Sequence, residues 1–245
     1  MVCLREDHKE VDSQKLHQFI TQNPLGIITT AIASQEYPKI QSTHIPWVLD
    51  AKDDSNCYIR GHMARQNPHA KALILEASKN PGEKLEEEVV VLFQSPVNHY
   101  ITPKFYTETK PSTGKVVPTW NYKTVEVRGF ATVFYNSKDQ KAKDFLSQQV
   151  EELSNQSESL IMGHNGEDGP EPWLVSDAPR NYIDILLKSI IGIEIKVTSI
   201  GGRFKMSQEL SEGDRTGVVK GFESLNNEVG KRMAQSVQDA CPHGK

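Results

Sequence analysis

Cysteine is scarce in this 245-residue chain: Cys3, Cys57 and Cys241 are odd in number, far apart and without a CxxC spacing. That excludes a disulfide framework or a cysteine-based zinc site as the source of stability and fits a reducing compartment. Long hydrophobic runs are also missing. The most apolar stretch, residues 183–200, is broken by Asp184, Lys188, Glu194 and Lys196, and the N-terminal MVCLREDHKEVD has no apolar signal core. Neither a membrane-spanning helix nor export by a signal peptide is expected, which leaves a cytoplasmic location. Concentrated positive charge is absent too: the lysines and arginines are scattered and the net charge is −4. This weighs against direct contact with a nucleic-acid backbone. No GxSxG, P-loop, GxGxxG or HExxH signature occurs, and the eight histidines show no metal-ligand spacing. Glu86-Glu87-Glu88 reads as a solvated turn, so no metal site is expected.

What the chain does contain is enough for a real core. An apolar fraction of 37% and a charged fraction of 24% lie within the range of globular proteins, at a length that suits one large domain or a domain with an appended lobe. Leu16, Phe19 and Ile20 predict a helix over 12–22, stopped by Asn23-Pro24. Short β-branched or aromatic runs at 25–33, 40–49 and 57–61 predict three strands of one sheet. Asn67-Pro68 then predicts a helix start, with Asn as cap and Pro at the first helical position. Further strands are expected at 89–94 and 124–134, the latter with Val125, Val127, Gly129, Ala131 and Val133 on one face. Helices are expected at 138–153 and 179–188, then a strand pair 191–198 and 203–206 turned by Gly201-Gly202. Leu225, Val229, Met233 and Val237 predict an amphipathic tail helix despite Gly230. Two long connections, 101–122 and 154–181, carry no apolar period and read as functional or mobile loops.

Chemistry concentrates at 58–68, YIRGHMARQNP. A glycine, a histidine and two arginines lie between a strand end and a helix N-terminus, which is the make-up of an anion site. Free amides and the helix dipole favour a phosphate, Arg60 or Arg65 could add a forked clamp, and Gly61 would let the backbone approach closely. The competing reading, of equal weight, makes Arg60 a solvated strand residue and Arg65 a loop charge paired with a carboxylate. Ser42, Thr43 and His44 on a neighbouring strand suit the polar rim of a planar heterocycle, and the pair His44 and His62 strengthens the case for a site. Trp120, Asn121 and Tyr122 could stack on a ring and read its edge, although Trp120 could equally anchor its loop. Lys104, Phe105 and Tyr106 could close over a ligand.

Collinear stretches give these signals a common frame: NPLGIITT (23–30), STHIPWVLD (42–50), IRGHMARQNP (59–68), VVVLFQSPVNHYITPKFY (89–106), GKVVPTWNY (114–122), WLVSDAP (173–179) and IIGIEIKVTSIGGRFKMSQ (190–208). With them the chain resembles the PaiB-type members of the FMN-binding split-barrel group, relatives of pyridoxamine-phosphate oxidase. The resemblance implies a β-rich α+β fold, a split β-barrel of six or so strands with flanking helices, forming a homodimer that holds FMN at each subunit interface. The domain reading is then a split-barrel domain over 1–224 with a helical insertion around 137–190 and, beyond the part of the chain that the resemblance covers, a C-terminal amphipathic helix or tail at 225–245. The resemblance places the FMN phosphate around Arg60, Gly61, His62, Arg65 and Asn67 and the isoalloxazine around Thr43, His44 and Ile45. Thr119, Trp120, Asn121, Lys205, Ser207 and Gln208 would complete the pocket. One departure stands out: the family pattern KxSQN becomes Lys205-Met-Ser-Gln-Glu209 here, and an inward carboxylate would disfavour an anionic ligand.

Three functions compete. The first is a flavin-dependent oxidoreductase acting on a small molecule, for which no catalytic base can be named. The second is a ligand-responsive transcriptional regulator, matching a family label of negative regulator but without a recognition helix. The third is haem binding or degradation with His62, His44 or His243 as axial ligand.

Overall fold

In the computed structural model, which describes residues 5–53 and 56–240, the elements follow the chain in this order. They are β1 (Lys9–Glu10), α1 (Ser13–Gln22), β2 (Leu25–Ala31), β3 (Ile40–Asp53), β4 (Asn56–Ala64), α2 (Pro68–Ala77), β5 (Val89–Gln94) and β6 (His99–Ile101). There follow α3 (Thr109–Thr113), β7 (Thr119–Phe134), α4 (Gln140–Gln156), α5 (Arg180–Lys188), β8 (Ile190–Lys205), α6 (Glu212–Glu223) and α7 (Glu228–Ala240). Two compact units emerge, a larger one of residues 13–93 and 126–200 and a smaller one of residues 1–12, 94–125 and 201–245. The division therefore does not run between 224 and 225. Among the described residues no helix is long and apolar enough to cross a membrane, and no cluster of three or more His, Cys, Asp or Glu side chains is placed to hold a metal.

In the larger unit the strands run in the order β8-β4-β3-β2-β5-β7, and a further β8–β7 pairing closes the ring into a barrel. Alternation fills it. Cys57, Ile59, Gly61 and Met63 of β4 point in, as do Val127, Gly129, Ala131 and Val133 of β7, while their neighbours are less buried. This is the period-two pattern expected of a strand with one buried face. Closure depends on a missing side chain: a Cβ on Gly129 would stand 2.1 Å from the Lys196 carbonyl oxygen. Thr198 spans the same seam, donating from its hydroxyl to Arg128 O at 3.2 Å and to Glu88 Oε1 at 2.8 Å. Glu88 also pairs with Arg128 at 3.5 Å, so it is tied to neighbouring strands rather than being a freely solvated turn residue.

His69, on α2, ties this helix to two strands. Its Nε2 lies 2.9 Å from Thr30 Oγ1 and its Nδ1 2.9 Å from Thr43 Oγ1. Burial lowers its pKa to about 4, because an imidazolium here would lose its hydration. Asn67 caps α2 as expected, its side chain accepting from the His69 amide at 2.9 Å.

The smaller unit includes residues 119–125 of β7 and 201–205 of β8. β1 pairs with β8 in the register Lys9↔Arg203, and β6 pairs with β7 in the register Ile101↔Thr119. Ile101, Tyr106, Met206, Val218, Phe222, Met233 and Val237 form its core. The tail helix α7 belongs to this core rather than standing apart. Gly230 permits it: a Cβ there would meet Phe222 O of the preceding helix at 2.5 Å. Leu225 precedes α7 and Val229 is exposed, so Met233, Ala234 and Val237 form the buried stripe.

Two expectations are corrected. The strand pair turned by Gly201-Gly202 is one continuous strand of 16 residues. Neither glycine has the positive φ that a two-residue primed hairpin turn uses; Gly202 instead pairs with Glu10 in a ladder. The second connection is not structureless: α4 continues as a π-helical segment, Ser157–Met162, ended by Gly163 at φ 70°.

Two outcomes are expected. Gly129→Ala should cost at least about 2 kcal/mol by forcing β7 from β8, lowering Tm by roughly 5 °C or more in a thermal melt. For His69, the unfolded state binds its proton near pH 6.5 and the folded state only near pH 4, so stability rises with pH between these values and is lost on acidification through them. Urea unfolding from pH 7 to 4 should show this contribution, on the order of 3 kcal/mol, disappear in His69→Leu.

Candidate functional site

The residues singled out in the sequence fall into two sets, one in each unit. Those of the larger unit are engaged in contacts within the chain. The Arg60 guanidinium is 2.9 Å from Glu152 Oε2 and 3.3 Å from Asp50 Oδ2, and its strand neighbour across the ladder is Glu194. Burial raises the Glu194 pKa and the Arg60 charge lowers it in part. A dianion there would displace carboxylates from a guanidinium already neutralised by them.

Arg65 is equally committed. Its Nε donates to Lys188 O at 3.1 Å, and its Nη2 donates to Tyr135 O at 2.6 Å and Ile190 O at 3.2 Å. Its own amide donates to Ser189 O and the Asn67 amide to Ala64 O, so the turn's donors close onto the protein. Gly61 leaves room for protein, not ligand: a Cβ would meet Trp47 at 3.0 Å and Ile45 at 3.1 Å. Ile45 is buried core, Thr43 holds His69, and Asn67 is spent on its cap. What this set leaves free is His44, which is exposed, and His62, whose buried Nδ1 has no hydrogen-bond partner among the described residues. Burial lowers the His62 pKa. His243 lies outside the described residues.

The second set converges on a cavity. Thr119 and Lys205, on the ends of β7 and β8, are hydrogen-bonded to each other. They line a cavity of about 530 Å³ together with Arg5, Lys115, Arg203 and Tyr106, and with Glu209 and Asp214 on the acidic side. That volume is typical of small-molecule pockets. Burial lowers the Lys205 pKa, as do Arg203 and Arg5, while Glu209 opposes the shift. Burial raises the Tyr106 pKa, helped by Glu209 and Asp214, so its hydroxyl stays a donor. Asp214 is turned away from ligand duty: burial opposes ionisation, but hydrogen bonds from Thr109, Glu108 and Thr107 outweigh it and lower the pKa.

Glu209 does face this cavity, and it has company. His8, only 2% exposed, sets Nε2 3.0 Å from Glu209 Oε2, so a proton on the imidazole would balance the carboxylate. His8 Nδ1 and Arg203 Nε are buried without hydrogen-bond partners among the described residues. Beside the cavity, Asn121 Nδ2 donates to Ser207 Oγ at 2.9 Å, both residues being fully buried. Ser207 holds φ 63°, a left-handed conformation uncommon for a side chain other than glycine and often found next to binding sites. Gln208 is engaged locally, accepting from the Met206 amide and donating to Phe204 O. Trp120 is 52% exposed and meets Tyr100 edge-on at 6.1 Å, outside the cavity lining. Arg203 could have been suspected from its place two residues before Lys205 on the same strand; Arg5, His8 and Lys115 carry no local signal.

Arg65→Ala should therefore act on the fold, lowering stability by about 2–3 kcal/mol through loss of charge-assisted bonds to carbonyls. Arg65→Lys should restore little, because one ammonium cannot fork between them; urea midpoints of both variants test this.

A family model described as "Putative FMN-binding domain" matches residues 2–199. An uncharacterized protein of Emericella nidulans is 52% identical over 246 residues, spanning 96% of each chain. An uncharacterized protein of Aspergillus fumigatus is 48% identical over 251 residues, again 96% of each. The "Protease synthase and sporulation protein PAI 2" of Bacillus subtilis is 30% identical over 231 residues, 94% of each. Barrel topology and end-to-end similarity agree, and the chain belongs to the PaiB-type family of FMN-binding split-barrel proteins.

Proposed function

We propose that this FMN-binding protein is a cytoplasmic, homodimeric oxidoreductase acting on a small molecule, and that the phosphate of its FMN is held in the cavity of the smaller unit. One observation carries the placement: Arg5, Lys115, Arg203 and Lys205 outnumber the acids of that cavity, and Arg203 Nε and His8 Nδ1 are buried with no partner among the described residues. Buried donors without partners are costly and are commonly satisfied by a ligand. The donor set fits a phosphate. Arg203 would supply a forked pair of N–H groups and Lys205 a point charge already positioned by Thr119.

Each residue then has a task. His8, when protonated, neutralises Glu209 and removes the repulsion that this carboxylate would exert on an anion. Tyr106 offers a neutral hydroxyl. The buried Asn121–Ser207 pair holds the strand ends in the conformation that presents Lys205. FMN, when bound, supplies two-electron redox chemistry that no side chain of the chain provides.

A second reading has the loaded state regulate a partner instead of turning over a substrate; the Bacillus relative's name refers to sporulation and names no reaction on a flavin substrate. With a net charge of −4, such a protein would act without gripping a duplex.

Fluorescence titration with FMN tests the placement. Lys205→Ala and Arg203→Ala should each weaken binding by roughly tenfold or more while leaving circular dichroism unchanged. Unaltered affinity in both would remove the phosphate from this cavity. The absorption spectrum of the purified protein separates flavin bands from a Soret band, and stopped-flow reduction by a nicotinamide donor separates the enzyme from the regulator.

A further inference from the structure

Two buried atoms of the cationic cavity face each other in an arrangement that calls for a proton. His8 Nε2 lies 3.0 Å from Glu209 Oε2, and the two side chains are only 2% and 16% exposed. Both atoms are shut off from solvent, and among the described residues neither has a hydrogen-bond partner of good geometry; nor does His8 Nδ1. With one proton, on Nε2, the ring steadies the carboxylate but leaves its charge uncompensated. With two, the pair is neutral and Nδ1 becomes a further donor on a residue that lines the cavity. The other charged or titratable groups of the same cavity are Arg5, ahead of β1, Arg203 and Lys205 on β8, Tyr106 and Lys115 between β6 and β7, and Asp214 on α6. Asp214 is occupied by the amides of Glu108 and Thr109, and burial keeps the Tyr106 hydroxyl protonated. Glu209 is therefore the acid whose charge an incoming anion meets.

We propose that a phosphate entering this cavity brings a proton with it, taken from solvent and carried by His8 against Glu209, so that loading of the site is regulated by pH. The inference rests on the placement of the FMN phosphate above and adds a control to it. Proton and phosphate favour each other reciprocally, because each relieves the cost of the other: the anion compensates the imidazolium, and the imidazolium removes the repulsion from the carboxylate. Below the range in which imidazoles titrate, the His8–Glu209 pair is neutral and the cavity is open to an anion. Above that range Glu209 stands uncompensated beside it. Lys205 is the rival proton carrier, since burial lowers its pKa, but it is already committed to Thr119.

Calorimetric titration of the flavin-free full chain with FMN, in buffers of different ionisation enthalpy, counts the protons. Wild type should take up roughly half a proton or more per FMN at pH 7.5. Glu209→Gln should take up none; it should match wild type near pH 6 and bind roughly tenfold more tightly near pH 8, the ionisation of the phosphate itself being common to both. His8→Gln should also take up none and should bind weakly at both pH values, because its carboxylate is never compensated. Should His8→Gln fail to fold by circular dichroism, the wild-type count and Glu209→Gln decide. No proton uptake by wild type, or uptake that persists in His8→Gln or Glu209→Gln, overturns the inference alone. FMN affinity unaltered in both Arg203→Ala and Lys205→Ala overturns the placement of the phosphate and the inference together.

Discussion

Everything in the larger unit depends on the seam between β7 and β8, where Gly129 brings one strand against the Lys196 carbonyl. Without that contact the order β8-β4-β3-β2-β5-β7 is an open sheet with two edges; with it, the strands form a closed ring. The same two strands meet again in the smaller unit through Lys205 and Thr119. A pair of long strands thus both completes the barrel and carries the cationic wall of the cavity. Glycine here is a requirement of backbone approach rather than of conformational freedom.

Charge is handled differently in the two units. In the larger one, arginine is a structural adhesive: Arg60 joins β4 to Asp50 and Glu152, and Arg65 collects carbonyls from three separate positions. In the smaller one, Arg203 and Lys205 line open volume. Both Arg60 and Arg203 keep a buried Nε without a hydrogen-bond partner among the described residues; the difference is that the Arg60 head is paired with Asp50 and Glu152, whereas Arg203 lines the cavity.

The strand and helix pattern was legible because alternation and capping are local. Val127, Ala131 and Val133 alternate, Asn67-Pro68 begins a helix, and Met233 and Val237 recur at helical spacing. Two other local signals take their meaning only from tertiary context. Gly201-Gly202 looks like a turn, but extended glycines pair in a ladder just as well when a neighbouring strand such as β1 is present. Arg60 and Arg65 sit in a segment that reads like an anion site, and only tertiary contacts reveal that their partners lie as many as 125 residues away. Within the candidate site, Lys205 and Thr119 came from family resemblance, while Arg5, His8 and Lys115 are joined to them by folding alone.

The smaller unit is assembled from three separated stretches of chain, residues 1–12, 94–125 and 201–245. During synthesis its first two pieces emerge well before the last, so its core around Phe222 and Met233 can form only once the chain has left the ribosome through residue 237. Maturation of the cationic cavity is accordingly a late event, and a chain cut short after the barrel would have no means of building it.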